Sequence, residues 1–336
     1  MRELMSIKSR FEIFTTRIRP TIEHIEEANR QTDYMIKQLK SVVAEDEYFT
    51  LEKVLHAGSN AKHTSLRRTD ENAFDVDLGA YYSGDGATKK RLDTLLTFTK
   101  KKLREIYPTK SAGDFELCRS AVRVIFRSGI KLNVDVVPII RNDSLDIENG
   151  GDIPRSDTWR STSVTCHNEF VRSRTARSKR RPGPVKFNNL VRLVKRWNNR
   201  QGDLAQPSYF CDLITAAALE KSGVTDEWQS SLRSIFTFLR KHRFLEPIIF
   251  SDYYDANKIK RPAGRVIVLD SVNAENNVAC KWTETTRQGY LERVQDAYDA
   301  MMDARSWELE GNEGAAVDAW CKVFGEEFRI LSENEG

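Results

Sequence analysis

Cysteine is sparse and never paired at short range. The five cysteines, Cys118, Cys166, Cys211, Cys280 and Cys321, are odd in number and form no CxxC spacing, which argues against a disulfide framework and a zinc knuckle. The five histidines, His24, His56, His63, His167 and His242, do not stand at ligand spacing from them, so no structural zinc site is expected. No stretch approaches the roughly eighteen apolar residues of a membrane span, and the opening MRELMSIKSRFE lacks the apolar core of a secretory signal. Internal repeats and low-complexity segments are also missing. These absences lead to the expectation of a cytoplasmic protein with reduced thiols and no membrane contact. Charge of one sign is in short excess: 53 basic against 49 acidic residues leaves +4, too little for a general polyanion binder.

What is present is an ordinary globular composition, 40% hydrophobic and 30% charged over 336 residues, long enough for two packed domains. One basic run stands out. Six of the ten residues 172–181 are cationic, namely Arg172, Arg174, Arg177, Lys179, Arg180 and Arg181. They read either as a solvated loop or as the wall of a cleft that meets phosphates.

Periodicity predicts a long helix over 20–44, with Pro20 in its first turn and Ile22, Ile25, Ala28, Thr32, Met35, Ile36, Leu39, Val42 and Val43 on one face. Strand patterns follow at 73–82, 117–127 and 130–140, with a helix at 88–106. After Pro154 the strands give way to helices at 184–200, 208–221, 228–242 and 285–304.

The strands carry the chemistry. In AFDVDLGAYY, Phe74, Val76 and Leu78 share one face, and Asp75 and Asp77 share the other. In IKLNVDVVPII, Asp135 lies on the polar face with Lys131 and Asn133. Neighbouring strands would bring three carboxylates together, hard oxygen ligands suited to Mg²⁺. Two such ions about 4 Å apart can clamp an in-line displacement at phosphorus. Upstream, Gly58 and Ser59 form a small turn after a short apolar run, followed by Thr64, Ser65 and Arg67; backbone amides and a hydroxyl there can approach a polyphosphate. A lone DxD or a lone Gly-Ser pair is common; the combination, with Asp75 sixteen residues beyond Ser59 and a third aspartate on another apolar strand, is not.

This constellation resembles the nucleotidyltransferase superfamily that includes DNA polymerase beta. Further blocks narrow the resemblance. FNNLVRLVKRWNN (187–199), PSYFCDLITAAALEKSG (207–223) and GRVIVLDSVNAENNVACKW (264–282) look like the helical lobe of the 2′-5′ oligoadenylate synthetases. They also look like their bacterial relatives, the CD-NTases of CBASS anti-phage systems, whose end AVDAWCKVFGEEF (316–328) resembles. The similarity runs from about residue 55 to the end. It implies an α+β, bilobed fold: a mixed-sheet catalytic lobe with the long helix as a brace (1–165), then a helical lobe (166–336), and an active site in the cleft between them. It implies nucleotide contacts for Lys195 and, more weakly, Arg192 at the triphosphate, for Tyr209 at the base, and for the neighbouring Ser208. Read by themselves, Arg192, Lys195, Arg196 and Arg200 are solvated cations on a helix, and Tyr209 is core. Asp270, Asn273, Asn276 and Asn277 read as a hydrogen-bonded turn of structural purpose. The loop Thr69–Ala73 is longer than the family's usual spacing, and the zinc insertion of animal cyclic GMP-AMP synthase is missing.

The expected activity is Mg²⁺-dependent transfer (two ions, with Mn²⁺ as a substitute) that joins nucleoside triphosphates, ATP among them, into a cyclic di- or trinucleotide second messenger for a downstream effector. Gly58 and Ser59 would hold the triphosphate, and Asp75, Asp77 and Asp135 would carry the metal and the catalysis. The alternatives are a linear 2′-5′ oligonucleotide synthetase and a non-catalytic nucleotide- or RNA-binding module; nucleic acid is admitted as a partner but not required. The polar end Ser332–Gly336 reads as a frayed terminus or, by resemblance, as a tail that a conjugating partner joins at Gly336.

Overall fold

A computed structural model describes residues 5–67, 73–87, 92–155, 158–180, 183–259 and 263–332, with backbone only at 92 and 93. The contacts divide the chain into Pro20–Glu169 and a second unit made of Met1–Arg19 with Phe170–Gly336. The expected boundary at 165/166 is therefore slightly early. The opening helix α1 (Ile7–Arg17) belongs with the C-terminal half rather than with the sheet.

The first unit begins with α2 (Ile22–Val43), two residues later than Pro20 suggested, because Thr21 is its cap and accepts from the His24 amide at 3.3 Å. Its buried side is Ala28, Thr32, Met35, Leu39 and Val43. Ile22 and Ile25, expected on that face, are 71% and 39% exposed, so the buried stripe starts only at Ala28. The chain then makes β1 (Thr50–Ala57), α3 (Gly58–Ala61), β2 (Phe74–Ser83), α4 (Leu92–Ile106), β3 (Phe115–Leu117), β4 (Val122–Phe126), β5 (Leu132–Arg141), β6 (Gly151–Arg155) and β7 (Thr158–Thr162). The strand expected over 117–127 is broken by a turn in which the Cys118 amide donates to Ala121 O at 2.8 Å. Strands also persist past Pro154, because β6 and β7 form a hairpin.

The sheet order is β1-β2-β5-β4-β3, with β6 and β7 off β5. Among the described strands of this sheet β2 and β5 pair in parallel and the other pairs are antiparallel. Alternation holds strictly through the centre. Phe74, Val76, Leu78, Val122, Val124, Leu132, Val134 and Val136 bury into one core with Met35, Leu39, Leu95 and Leu103 of α2 and α4. Each such side chain contributes about 1.5–3 kcal/mol by burial. The opposite face of β2, β4 and β5 is thereby left to the polar residues between them. A smaller cluster of Tyr81, Ile139 and Val164 closes that face farther along, where Tyr81 Oη accepts from the Val164 amide at 3.2 Å at the start of α5 (Val164–Lys179).

The second unit is helical: α6 (Phe187–Asn198), α7 (Ser208–Ser222), α8 (Trp228–His242), α9 (Glu284–Leu309), α10 (Glu313–Phe324) and α11 (Glu327–Ser332) join α1 and most of α5. Aromatic rings hold it in two places. Phe11 of α1 meets Trp320 at 4.8 Å and Phe328 at 5.1 Å, and Tyr290 sits between Trp197 at 5.5 Å and Trp282 at 5.1 Å. The turn at 270–277 is structural, as expected: Asp270 Oδ1 accepts from the Val272 amide at 2.8 Å and Asn277 Oδ1 from the Val268 amide at 3.0 Å.

Two expectations are corrected here. The basic run is no loop: residues up to Lys179 lie on α5, and Arg174 is buried, ion-paired with Asp252 at 2.8 Å and stacked 3.8 Å over the Phe170 ring. Arg181 lies outside the described residues. Ser332 is not a loose tail residue but a fully buried one, receiving a hydrogen bond from Arg10 at 3.1 Å; residues 333–336, with Gly336, lie outside the described residues.

Candidate active site

The parallel register of β2 on β5 sets Asp75 opposite Asn133 and Asp77 opposite Asp135. Asn133 Nδ2 donates to Asp75 Oδ1 at 3.1 Å. The antiparallel register of β4 on β5 puts Arg123 opposite Asp135, and its guanidinium grips both carboxylate oxygens, each at 2.8 Å. This fork-to-fork pair holds Arg123 protonated more firmly than usual. At Asp77 burial, then the charges of Asp135 and Asp75, push the carboxyl up to about 6, although Lys62 and Arg123 act in the other direction.

Gly58 follows β1, whose last residue Ala57 pairs with Asp77. Its φ is +66°, and a Cβ there would lie 2.6 Å from Asp77 Cγ, so only glycine admits the carboxylate. Ser59 stands next to it, its Oγ 3.2 Å from Ser65 Oγ, while Ser59 O accepts from the Thr64 amide at 2.8 Å. The Gly-Ser turn is thus a short helical turn pressed against the acids. His63 has φ +54° in the same turn. Of the expected loop Thr69–Ala73, only Ala73 is among the described residues.

The three aspartates share a sheet face but do not close on one point. Among the described residues no three acidic, histidine or cysteine side chains stand at metal-binding geometry; Asp135 is turned onto Arg123. The donor chemistry still fits a hard divalent cation. Asp75 and Asp77 offer oxygens alone, and the mutual repulsion recorded at Asp77 is what such an ion relieves. Each Asp135 oxygen accepts one bond from Arg123 and keeps a second lone pair, so the carboxylate fits as a third ligand while still held.

The other predicted residues lie in the second unit. Lys195 and Arg192 of α6 are buried, not solvated. Lys195 Nζ pairs with Asp212 Oδ1 of α7 at 2.8 Å, the two side chains being 3% and 1% exposed. Arg192 donates to Asn189 Oδ1 at 2.8 Å, and burial, with Arg19 nearby, pulls its guanidinium down to about 9. Arg196, expected in solvent, pairs with Glu327. Ser208 opens α7 and is exposed; Tyr209 is half-buried, its Oη donating to Asp270 at 3.1 Å and accepting from the Ser271 amide at 3.1 Å.

Sequence reasoning missed Arg123. Its signal was available: VRVIF alternates, and a hairpin turning near Gly129 places the second residue of that pattern across from Asp135.

An α+β fold with this acid face and glycine turn defines the class, a nucleotidyltransferase. The comparisons agree. Residues 5–174 match the Second Messenger Oligonucleotide or Dinucleotide Synthetase (SMODS) domain. The CBASS oligonucleotide cyclase CdnC of Escherichia coli strain KTE188 is 30% identical over 303 residues, 90% of each chain. The cyclic AMP-AMP-AMP synthase of E. coli strain MS 115-1 is 29% identical over 304 residues, 89% of this chain and 90% of that one. Solved structures of E. coli MS115-1 CdnC superpose with a TM-score of 0.81 with ATP (26% identity, 97% and 99% covered) and 0.79 in complex with HORMA-deltaN (27%, 96% and 97%). The chain therefore belongs to the CD-NTases of CBASS systems, nucleotidyltransferases that make cyclic oligonucleotide second messengers from nucleotides. The linear synthetase and the non-catalytic module are not favoured, because the relatives matched along nine-tenths of the chain are cyclases. Metal dependence is general in the family, and among the described residues no helix is long and apolar enough to cross a membrane.

Proposed function

We propose that the chain condenses ATP, alone or with other nucleoside triphosphates, into a cyclic di- or trinucleotide. The name of the synthase relative favours three adenylates. The observation that carries the reading is the Gly58 turn against Asp77, with Asp75 and Asp135 on the same face. Asp75 and Asp77, joined by Asp135, are assigned to two Mg²⁺ ions. When bound, the ions acidify the attacking ribose hydroxyl and neutralise charge on the leaving pyrophosphate. Gly58 and Ser59 offer their amides and a hydroxyl to the triphosphate, and the Asn133 amide keeps Asp75 aimed along the face. In the second unit Ser208 is assigned to nucleotide binding and Tyr209 to the base, with Tyr209 anchored at its hydroxyl so that its ring keeps one plane. Lys195 and Arg192 are assigned to the triphosphate from a paired, buried resting state; for Lys195, a ligand phosphate must then compete with Asp212.

Proposed partners are an effector that reads the product and a HORMA-type protein, by likeness to the CdnC complex. Conjugation at Gly336 stands as a family-based proposal. The deciding experiment incubates the purified chain with labelled triphosphates and Mg²⁺, then phosphatase, then mass spectrometry. A phosphatase-resistant species lacking all termini is expected. A phosphatase-sensitive ladder would sink the cyclase reading.

A further inference from the structure

A groove in the second unit carries charge that the catalytic reading does not use. It is an open groove between α7, α8 and α9 with a volume of about 530 Å³, within the range of small-ligand sites. Lys221, Arg233 and Arg305 line it on one side and Phe238, Tyr298 and Met302 on another; no carboxylate lines it among the described residues. Arg233 is the informative residue. Its Nη2 donates to Ser230 Oγ at 3.0 Å, a neutral acceptor. Its Nη1 is buried and has no acceptor among the described residues. Burial first, then the charge of Arg305, lower its affinity for its proton, and Glu227, Glu308 and Tyr298 only partly offset this.

Two like-charged guanidiniums held in one groove repel unless an anion joins them. Their planar donor forks match the oxygens of phosphates and carboxylates alike, and a phosphate, with close to two negative charges, can be shared by both guanidiniums. Lys221, at the exposed rim, adds a third positive charge for a second phosphate. Tyr298 has its plane fixed by Arg240, whose guanidinium sits 3.9 Å over the ring. The apolar wall is therefore a fixed surface against which a flat ring can lie.

We propose that the α7–α8–α9 groove binds a small phosphorylated ligand of nucleotide size, its phosphates held by Arg233, Arg305 and Lys221. The site is separate in its residues from the aspartate face and does not depend on the reading of that face.

Equilibrium dialysis of the full chain against labelled ADP tests it. Arg233→Ala/Arg305→Ala is expected to bind one ADP fewer per chain at saturation, or to hold that equivalent at least about tenfold more weakly. Identical isotherms for wild type and double variant overturn the proposal. The rim variant Lys221→Glu, at an exposed position that does not threaten folding, is expected to weaken the same equivalent; an unchanged isotherm counts against the site. Competition reads the chemistry. Displacement of that ADP by pyrophosphate supports the assignment, whereas displacement by adenosine but not by pyrophosphate overturns it.

Discussion

The carboxylate of Asp77 occupies the volume in which any side chain at residue 58 would have to begin. Glycine at this position therefore serves the acid as well as the turn, since its φ of +66° and its missing Cβ are both required. Gly58→Ala is expected to lower turnover by about a hundredfold or more, the usual cost of displacing a reacting group by an ångström. The melting temperature should fall only a few degrees, because the strain is confined to one turn. Near-normal activity in the folded variant would remove Gly58 from the site.

Asp77 makes a signed prediction about pH. Its folded pKa, about 6, lies above the ordinary aspartate value of 3.8. A carboxyl raised in this way favours the fold while protonated, and that contribution is lost as pH rises through 6. In EDTA, Asp77→Asn should therefore match wild type at pH 4 and melt higher at pH 8, while having no turnover with Mg²⁺. Added Mg²⁺ should stabilise wild type at pH 8 and leave Asp77→Asn unmoved. Thermal melts across pH, with and without the metal, check both halves.

Arg123 is the positioning residue for Asp135, so its removal should be felt there first. Arg123→Gln leaves a carboxylate without its charged partner, a loss on the order of 1–3 kcal/mol. Arg123→Lys should recover the charge but not the two-point grip. Mn²⁺ affinity, followed by electron paramagnetic resonance, should separate the variants: a purely structural Arg123 would leave it unchanged in both once folding is accounted for.

Lys195 and Asp212 form a buried pair with little access to water. Asp212→Asn strands the ammonium and should cost about 3–5 kcal/mol, whereas Lys195→Met/Asp212→Leu should recover much of that. If the double variant regains its melting temperature but not its activity, the lysine has a role beyond the fold. Recovery of both would reduce Lys195 to packing.

At Tyr209 two substitutions divide the hydroxyl from the ring. Tyr209→Phe loses the bonds to Asp270 and Ser271 and should cost about 1 kcal/mol of stability, with KM little changed. Tyr209→Ala also loses the ring, worth about 1–3 kcal/mol where a base stacks on it, and KM for the nucleotide should rise accordingly.

Much of this site could be read from alternation alone. Phe74, Val76 and Leu78 had to share a face, so Asp75 and Asp77 had to share the other, and the same reasoning applied to Asp135. Alternation could not supply the register, because β2 and β5 are parallel and far apart in the chain, and nothing local specifies Asp77 against Asp135. The helix at 164–179 was missed because its buried residues include Arg174 and Asn168, whose polarity erases the apolar stripe. Arg196 was misread as solvated for a related reason: a charged residue inside a helix looks like surface until its partner, here Glu327 on another helix, is known. Ile22 and Ile25 erred in the opposite sense, apolar by type yet outside the core.

The parallel pairing of β2 with β5 has one further consequence. The acids meet only when two strands separated by α4, β3 and β4 have found each other, and contacts of that sequence separation are late and costly to close. A fragment that lacks either strand cannot hold the three aspartates together. Synthesis must pass residue 141 before the acid face can exist at all.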